Sequence, residues 1–484
     1  MYLSPEMISF PTLEPGFFLW WLGLTALLPF LAMSFTGKNE TCDCGDDCCD
    51  QHDHRLDKEA VKNRIAELEG LSNRTADQNE ELAELYVLLG NEVYDEAEEA
   101  EEITDLLGKA EDALKAALAL NADDEITRRL GNVYLHRAVV YNDFDEIEPA
   151  LEYYQKAIDT FEPLDKAGDG EAKYDIAGIR LNRGTIYHQI GEFEKAKADF
   201  DESFMAFRAV EKISDLDTRF YMAKVSVAQG SLFRDMGEPL DKIVDAYNRA
   251  MRLFVELIDI GQMDHERDLA NVLMDRCVAT FEDYMGRDFD TETDRLNKIG
   301  DVLVDVGRAV EILERLASGG DDGCRYDLFN ALTAEGAILL DIEKFDESRK
   351  VLDRAIDHFK DFADESDPIV VNQYAGAYEN RGLCWLNLDE TDKALSDISE
   401  AVRLRESIVS DAFDLDDETK SYFIPTLATT YANRANVHAG NSDNEKALAD
   451  GKKGLELIRS VKEDMDEEMN EIEELFENLI DQWK

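Results

Sequence analysis

One arithmetic regularity constrains this chain more than any other feature. Three stretches, LNRGTIYHQIGEFEKAKADFDES (181–203), ENRGLCWLNLDETDKALSDISEA (379–401) and ANRANVHAGNSDNEKALADGKKG (432–454), align without a gap. The small residue after Asn-Arg serves as an origin: Gly184, Gly382 and Ala435. Twelve positions on stand Ala196, Ala394 and Ala447; sixteen on, Phe200, Ile398 and Gly451; nineteen on, Ser203, Ala401 and Gly454. Steps of three and four keep residues on one helical face. Two helices approach closely only where side chains are minimal, and a bulky neighbour fills the space beside the gap. The spacing therefore predicts pairs of packed helices.

Weaker copies fit the same ruler. Ala138, Ala150, Tyr154 and Ala157 form one, and Gly336, Leu339, Leu352 and Ala355 another. Gly230, Phe233, Tyr247 and Ala250 fit with one inserted residue, and Cys277 marks a degenerate copy. The origins fall at 138, 184, 230, 277, 336, 382 and 435, so the common step is 46 or 47 residues. The longer steps hold the acidic or glycine-rich inserts DFDTETD, SGGDDG and DAFDLDDETK, expected as surface loops. DFDTETD lacks the glycine and the distal glutamate of a calcium loop and is rejected as one.

The small–aromatic–small arithmetic resembles the tetratricopeptide repeat over roughly residues 80–455, with Tyr187 and Trp385 matching the family's aromatic position in the first helix. The departure is the step, since that family's period is about 34 residues. The resemblance implies an all-α, right-handed superhelical α-solenoid of antiparallel helix pairs. It also implies a non-enzymatic scaffold or adaptor whose concave face binds peptides or helices of other proteins. Asn182, Asn380 and Asn433, just before the arginine, are by the same resemblance candidates to contact bound peptide backbone.

Arg183, Arg381 and Arg434 stand where the family usually has leucine, and Asp199, Asp397 and Asp450 follow sixteen residues later. These places face each other in an antiparallel pair, which predicts an ion pair clamping the two helices. The Ala138 copy has Arg137 but Tyr153 at the matching place.

The first 55 residues differ in kind. After a tail (1–16), residues 17–35, FFLWWLGLTALLPFLAMSF, carry no charge. As a helix they span roughly 28 Å, close to a bilayer core. The expectation is a transmembrane helix over 17–36, holding a cytoplasmic body at a membrane; Lys38 alone argues for that orientation. A signal peptide, giving a secreted or periplasmic protein, and a helix docked on a partner are the alternatives. An acidic linker follows (37–55), with Cys42, Cys44, Cys48, Cys49, His52 and His54 within TCDCGDDCCDQHDH. Thiolate and imidazole suit Zn²⁺ or another soft metal, yet the spacing matches no finger. A metal-binding or metal-sensing role competes there with a plain or acylated tether.

The other segments are a short helical connector (56–78), the repeats (79–454) and an amphipathic C-terminal capping helix (455–484). Net charge is −57, from 51 basic and 108 acidic residues spread along the chain. Nucleic acid is a poor partner for such a surface, and basic contacts on a protein partner suit it. Cys277, Cys324 and Cys384 are far apart and read as free thiols. No P-loop, G-x-S-x-G or H-E-x-x-H motif is present, and His136, His188 and His438 fall close to packing positions. A regulatory repeat domain sensing a small ligand remains the third functional class.

Overall fold

A computed structural model describes residues 58–94, 97, 99–210, 215–286, 291–319, 322–360, 367–410, 413, 415, 417–461 and 467–483. Its elements are helices, and no strand occurs among the described residues. The chain forms two compact units, Met1–His265 and Glu266–Lys484. In the first, α1 (Lys58–Glu69) precedes four helical hairpins: α2 (Ala76–Val93) with α3 (Ala100–Leu120), α4 (Asp124–Asp143) with α5 (Ile147–Lys166), α6 (Gly170–Gln189) with α7 (Phe193–Val210), and α8 (Asp215–Asp235) with α9 (Leu240–Asp259). In the second, α10 (Glu266–Met285) pairs with α11 (Glu292–Ala317), α12 (Asp322–Asp341) with α13 (Phe345–Lys360), α14 (Pro368–Asn387) with α15 (Thr391–Val409), and α16 (Asp417–Gly440) with α17 (Asn444–Val461); α18 (Glu467–Trp483) follows. Within each unit the second helix of a hairpin also packs on the first helix of the next.

Local chemistry sets the helix ends. Asp123, Asp169 and Asp367 accept hydrogen bonds from the first-turn N–H groups of α4, α6 and α14. Thr75 and Gln78 form a reciprocal capping box at the start of α2. The hairpin turns repeat one device. Seven residues after six of the seven origins the backbone is left-handed: Asp145, Gly191, Gly237, Glu343, Asp389 and Ser442. The next N–H then donates back to the carbonyl three residues after the origin, as in Glu192 to Tyr187 at 2.8 Å and Glu390 to Trp385 at 2.8 Å. This closes the helix end and reverses the chain.

The origins are the points of closest approach. A Cβ added at Gly184 would lie 2.7 Å from the Phe200 ring; at Gly230, 2.7 Å from Tyr247; at Gly336, 2.6 Å from Leu352; at Gly382, 2.5 Å from Ile398. Ala196, Phe200, Ala394, Ala401, Ala435 and Ala447 are fully buried. Half-buried Tyr187 and Trp385 lie under lysine cations, Lys195 at 5.3 Å and Lys393 at 4.3 Å from the ring centroids. The last hairpin exchanges the volumes: its origin is Ala435 and the facing position is Gly451, whose added Cβ would meet the Trp483 ring at 2.7 Å. Trp483 and Phe476, both buried, thus seat α18 on glycine-lined ground of α17.

Three features differ from expectation. A hairpin, α2–α3, precedes the first expected copy, with Gly90 as its origin, in ordinary contact with Ile103 at 3.7 Å and Leu107 at 3.8 Å. The inserts are partly helical. Thr291 caps the 26-residue α11, and α12 and α16 begin at Asp322 and Asp417. Membrane anchoring of the body is corrected: among the described residues no helix is long and apolar enough to cross a membrane. Residues 17–36, where a hydrophobic helix was expected, lie outside the described residues, as does the Cys/His stretch.

Gly184→Ala should lower stability by about 1–3 kcal/mol through overpacking against Phe200, and Phe200→Leu in the same chain should recover part of the loss. Urea unfolding of the two variants measures both effects; equal stability of Gly184→Ala and the parent would contradict the close approach.

Candidate functional site

The arginine before each origin reaches across its hairpin. Arg183 donates from Nε and Nη2 to both carboxylate oxygens of Asp199 at 2.7 Å, and Arg381 does the same to Asp397 at 2.7 Å. Arg434 grips Asp450 at 2.8 Å through two bonds. These pairs are mostly buried, with Asp199 only 7% and Arg183 13% exposed. Burial pulls each arginine's pKa down, but hydrogen bonding and charge from the aspartate outweigh it, and the guanidinium ends above its ordinary value.

The remaining copies vary the device. Arg276 binds Asp305 through two bonds, at 2.7 and 2.5 Å, although the insert puts 29 residues between them. Arg137 stacks on Tyr153, 4.2 Å from the ring centroid, and pairs with Glu111 on the preceding hairpin at 2.5 Å. Arg183 and Arg381 likewise reach back, to Gln155 at 2.6 Å and Asp353 at 3.0 Å. Arg137, Arg183 and Arg381 therefore each touch three helices: their own two and the second helix of the hairpin before.

A second set of ties links first helices directly. The residue ten before one origin meets the residue nine before the next. Arg129 lies 3.7 Å from Glu80, Arg128 3.5 Å from Asp175, and the Tyr174 and Tyr221 rings are 5.9 Å apart between centroids. In the second unit Arg267 donates to Asp327 at 2.6 Å and the Tyr326 hydroxyl donates to Gln373. At the last step Arg405, almost wholly buried, spans the same rung: its Nε donates to Asn372 Oδ1 at 2.9 Å and its Nη1 to the Thr426 carbonyl at 3.4 Å. It also binds Glu379 and Thr430. Further ties join the Tyr94 hydroxyl to Asp143 and His188 Nε2 to Asp235 at 2.7 Å. First helices thus stand side by side within each unit, tied to one another by these contacts.

The structure puts Asn182, Asn380 and Asn433 half-buried on these first helices. Asn433 Nδ2 donates to Glu379 at 2.9 Å, so one of the three also ties two first helices together. Sequence comparison of the copies missed the rungs because their partners lie one repeat plus one residue apart; complementary residues at that spacing, such as Arg128 and Asp175, were the available signal. Asp175 stands out. Burial pushes its pKa up to about 6, Arg128 opposes the rise, and Glu171 and Asp169 add to it. Cys277, Cys324 and Cys384 are free and buried; burial pushes the Cys384 thiol up to about 11. No cluster of metal-ligating side chains occurs among the described residues, and Cys42, Cys44, Cys48, Cys49, His52 and His54 lie outside them.

The tetratricopeptide repeat family model matches residues 177–207, which cover the Gly184 hairpin. No curated protein matches the chain in sequence. Among solved structures the chain is similar to BtubC from P. vanneervenii, at 20% identity over 55% of this chain and 91% of that one, with a TM-score of 0.41. It is also similar to apo RapI, at 15% identity over 73% and 85%, TM-score 0.48, and to the apo quorum sensor NprR from B. thuringiensis, at 12% identity over 83% and 99%, TM-score 0.38.

Arg381→Met or Asp397→Leu alone should each cost about 3 kcal/mol, because each strands a buried charge, whereas the double variant should cost less than the sum. A double-mutant cycle by urea unfolding checks this; strict additivity would mean no clamp. Asp175 has a different sign. Its folded pKa lies above the unfolded value, so ionising it disfavours folding; the penalty is absent below about pH 4 and grows as pH rises through about 6. Asp175→Asn should therefore gain about 1 kcal/mol at pH 7.5 and nothing at pH 4, read from melting temperatures at the two pH values.

Proposed function

We propose that this chain, whose Gly184 hairpin matches the tetratricopeptide repeat model, is a non-enzymatic scaffold of long repeats that binds segments of other proteins on the first helices of its units. The observation that carries the reading is the set of direct ties between successive first helices. Arg128–Asp175 in the first unit, and Tyr326–Gln373 and the Arg405 bridge in the second, each hold neighbouring first helices in register, so the polar groups within a unit stand at fixed spacing before any partner arrives. Preorganisation of this kind lowers the ordering cost of binding. Side-chain amides on that face, Asn182 and Asn380 among them, suit the N–H and C=O groups of a peptide backbone. With a net charge of −57, the partner's contacts are basic, which steers association and makes it salt-sensitive.

The test is photo-crosslinking in the full chain. A benzophenone side chain at position 182 or 380 should capture the partner, and one at Asp357, exposed on the second helix α13, should not. Asn380→Ala should weaken binding about tenfold, measured by calorimetry. Capture from position 357 alone would reject the first-helix face.

A further inference from the structure

A groove of about 400 Å³ lies on a different part of the first unit, between the α6–α7 turn and the end of α8. Gly191, Glu192, Phe193, Glu194, Asp235 and Met236 line it. We propose that this groove takes a lysine or arginine side chain from an extended basic segment of a partner protein. The lining matches that side chain in both of its parts. Phe193 and Met236, half-buried, offer apolar walls to a methylene stem. The exposed carboxylates of Glu192 and Glu194 stand at the mouth for the charged head, and a cation beside the Phe193 ring gains from its π-face. An anion would be repelled, and a purely apolar group would desolvate carboxylates without pairing them.

The walls are held before binding. His188 Nε2 bonds Asp235 at 2.7 Å across α6 and α8, and its ring lies edge-on to Phe193 with centroids 5.9 Å apart. Asp235 also faces Arg234 at 3.5 Å, and Glu192 faces Lys195 at 3.3 Å. Glu194 makes no ion pair among the described residues and is the carboxylate best placed to receive the incoming head.

The turn chemistry repeats along this edge of the unit. FDEIE (144–148), IGEFE (190–194) and MGEPL (236–240) each set an acid between two apolar positions. First helices in direct contact lie about 8–10 Å apart, and an extended chain advances about 3.3–3.6 Å per residue. Neighbouring turns are therefore spanned by basic residues three apart.

The probe is a fluorescein-labelled peptide, KGSKGSKGS, titrated against the full chain by anisotropy, with EGSEGSEGS and the clustered isomer KKKGSGSGS as comparisons. The expected order is spaced lysines, then clustered lysines, then no binding by the glutamate peptide. Glu192→Lys/Glu194→Lys, both exposed, should raise the Kd of the spaced peptide at least tenfold with an unchanged melting temperature, and Asn182→Ala should leave it within about twofold. Equal binding by the charge-reversed variant, or no preference for spaced lysines, overturns the groove. Loss in Asn182→Ala alone overturns it too, and leaves the first-helix face standing.

Discussion

Most hairpins in this molecule depend on two helices coming so close at one small residue that no side chain fits there. At Gly184, Gly230, Gly336 and Gly382 the space a methyl group would need is already filled by Phe200, Tyr247, Leu352 or Ile398. Those large side chains are buried because the glycine lets them in, and their burial is the main favourable term in a stack whose helices have little else to hold them. The last hairpin keeps the geometry and moves the bulk elsewhere. Ala435 faces Gly451, and the ring that fills the space, Trp483, comes from α18. That helix packs on α17, the second helix of the hairpin before it.

Electrostatics acts on this frame as an orienting force. A chain with a net charge of −57 must keep its few arginines where they count. Arg183, Arg276, Arg381 and Arg434 go to the same structural place, each facing an aspartate through two bonds. Buried pairs of this kind return little net stability, because desolvation opposes the attraction, but their two-bond geometry admits one helix register. The rungs between first helices do the same in the other direction. Arg405 shows how far this goes: it stands buried among Asn372, Glu379, Thr426 and Thr430, tying two hairpins through one guanidinium.

Much of this was legible in the residues, and the limits have physical reasons. The contacts of Gly184 with Phe200 and of Arg183 with Asp199 were readable because both partners sit in one hairpin, where helix period and turn length leave little freedom. The Gly90 hairpin escaped notice because its origin touches its partners at ordinary distance and so tolerates a looser pattern. Arg276–Asp305 escaped because an insert changed the count between them without changing the place they meet. Arg137 was seen without its aspartate, and the structure supplies Tyr153 as the stacking partner. The expectation of a membrane-held body came from residues 17–35, while among the described residues no helix is long and apolar enough to cross a bilayer.

The sequence by itself determined the unit of construction: helices paired through small residues and recurring at a common step of 46 or 47 positions. These are local matters, set by side-chain volume and backbone freedom within some forty residues. Only the tertiary structure decided how one hairpin meets the next. Contacts such as Arg128 with Asp175, Asn433 with Glu379 and His188 with Asp235 join residues on separate first helices. No period along one helix specifies which neighbour a side chain meets on another; that follows from how hairpins stack, when each second helix has chosen the groove it fills.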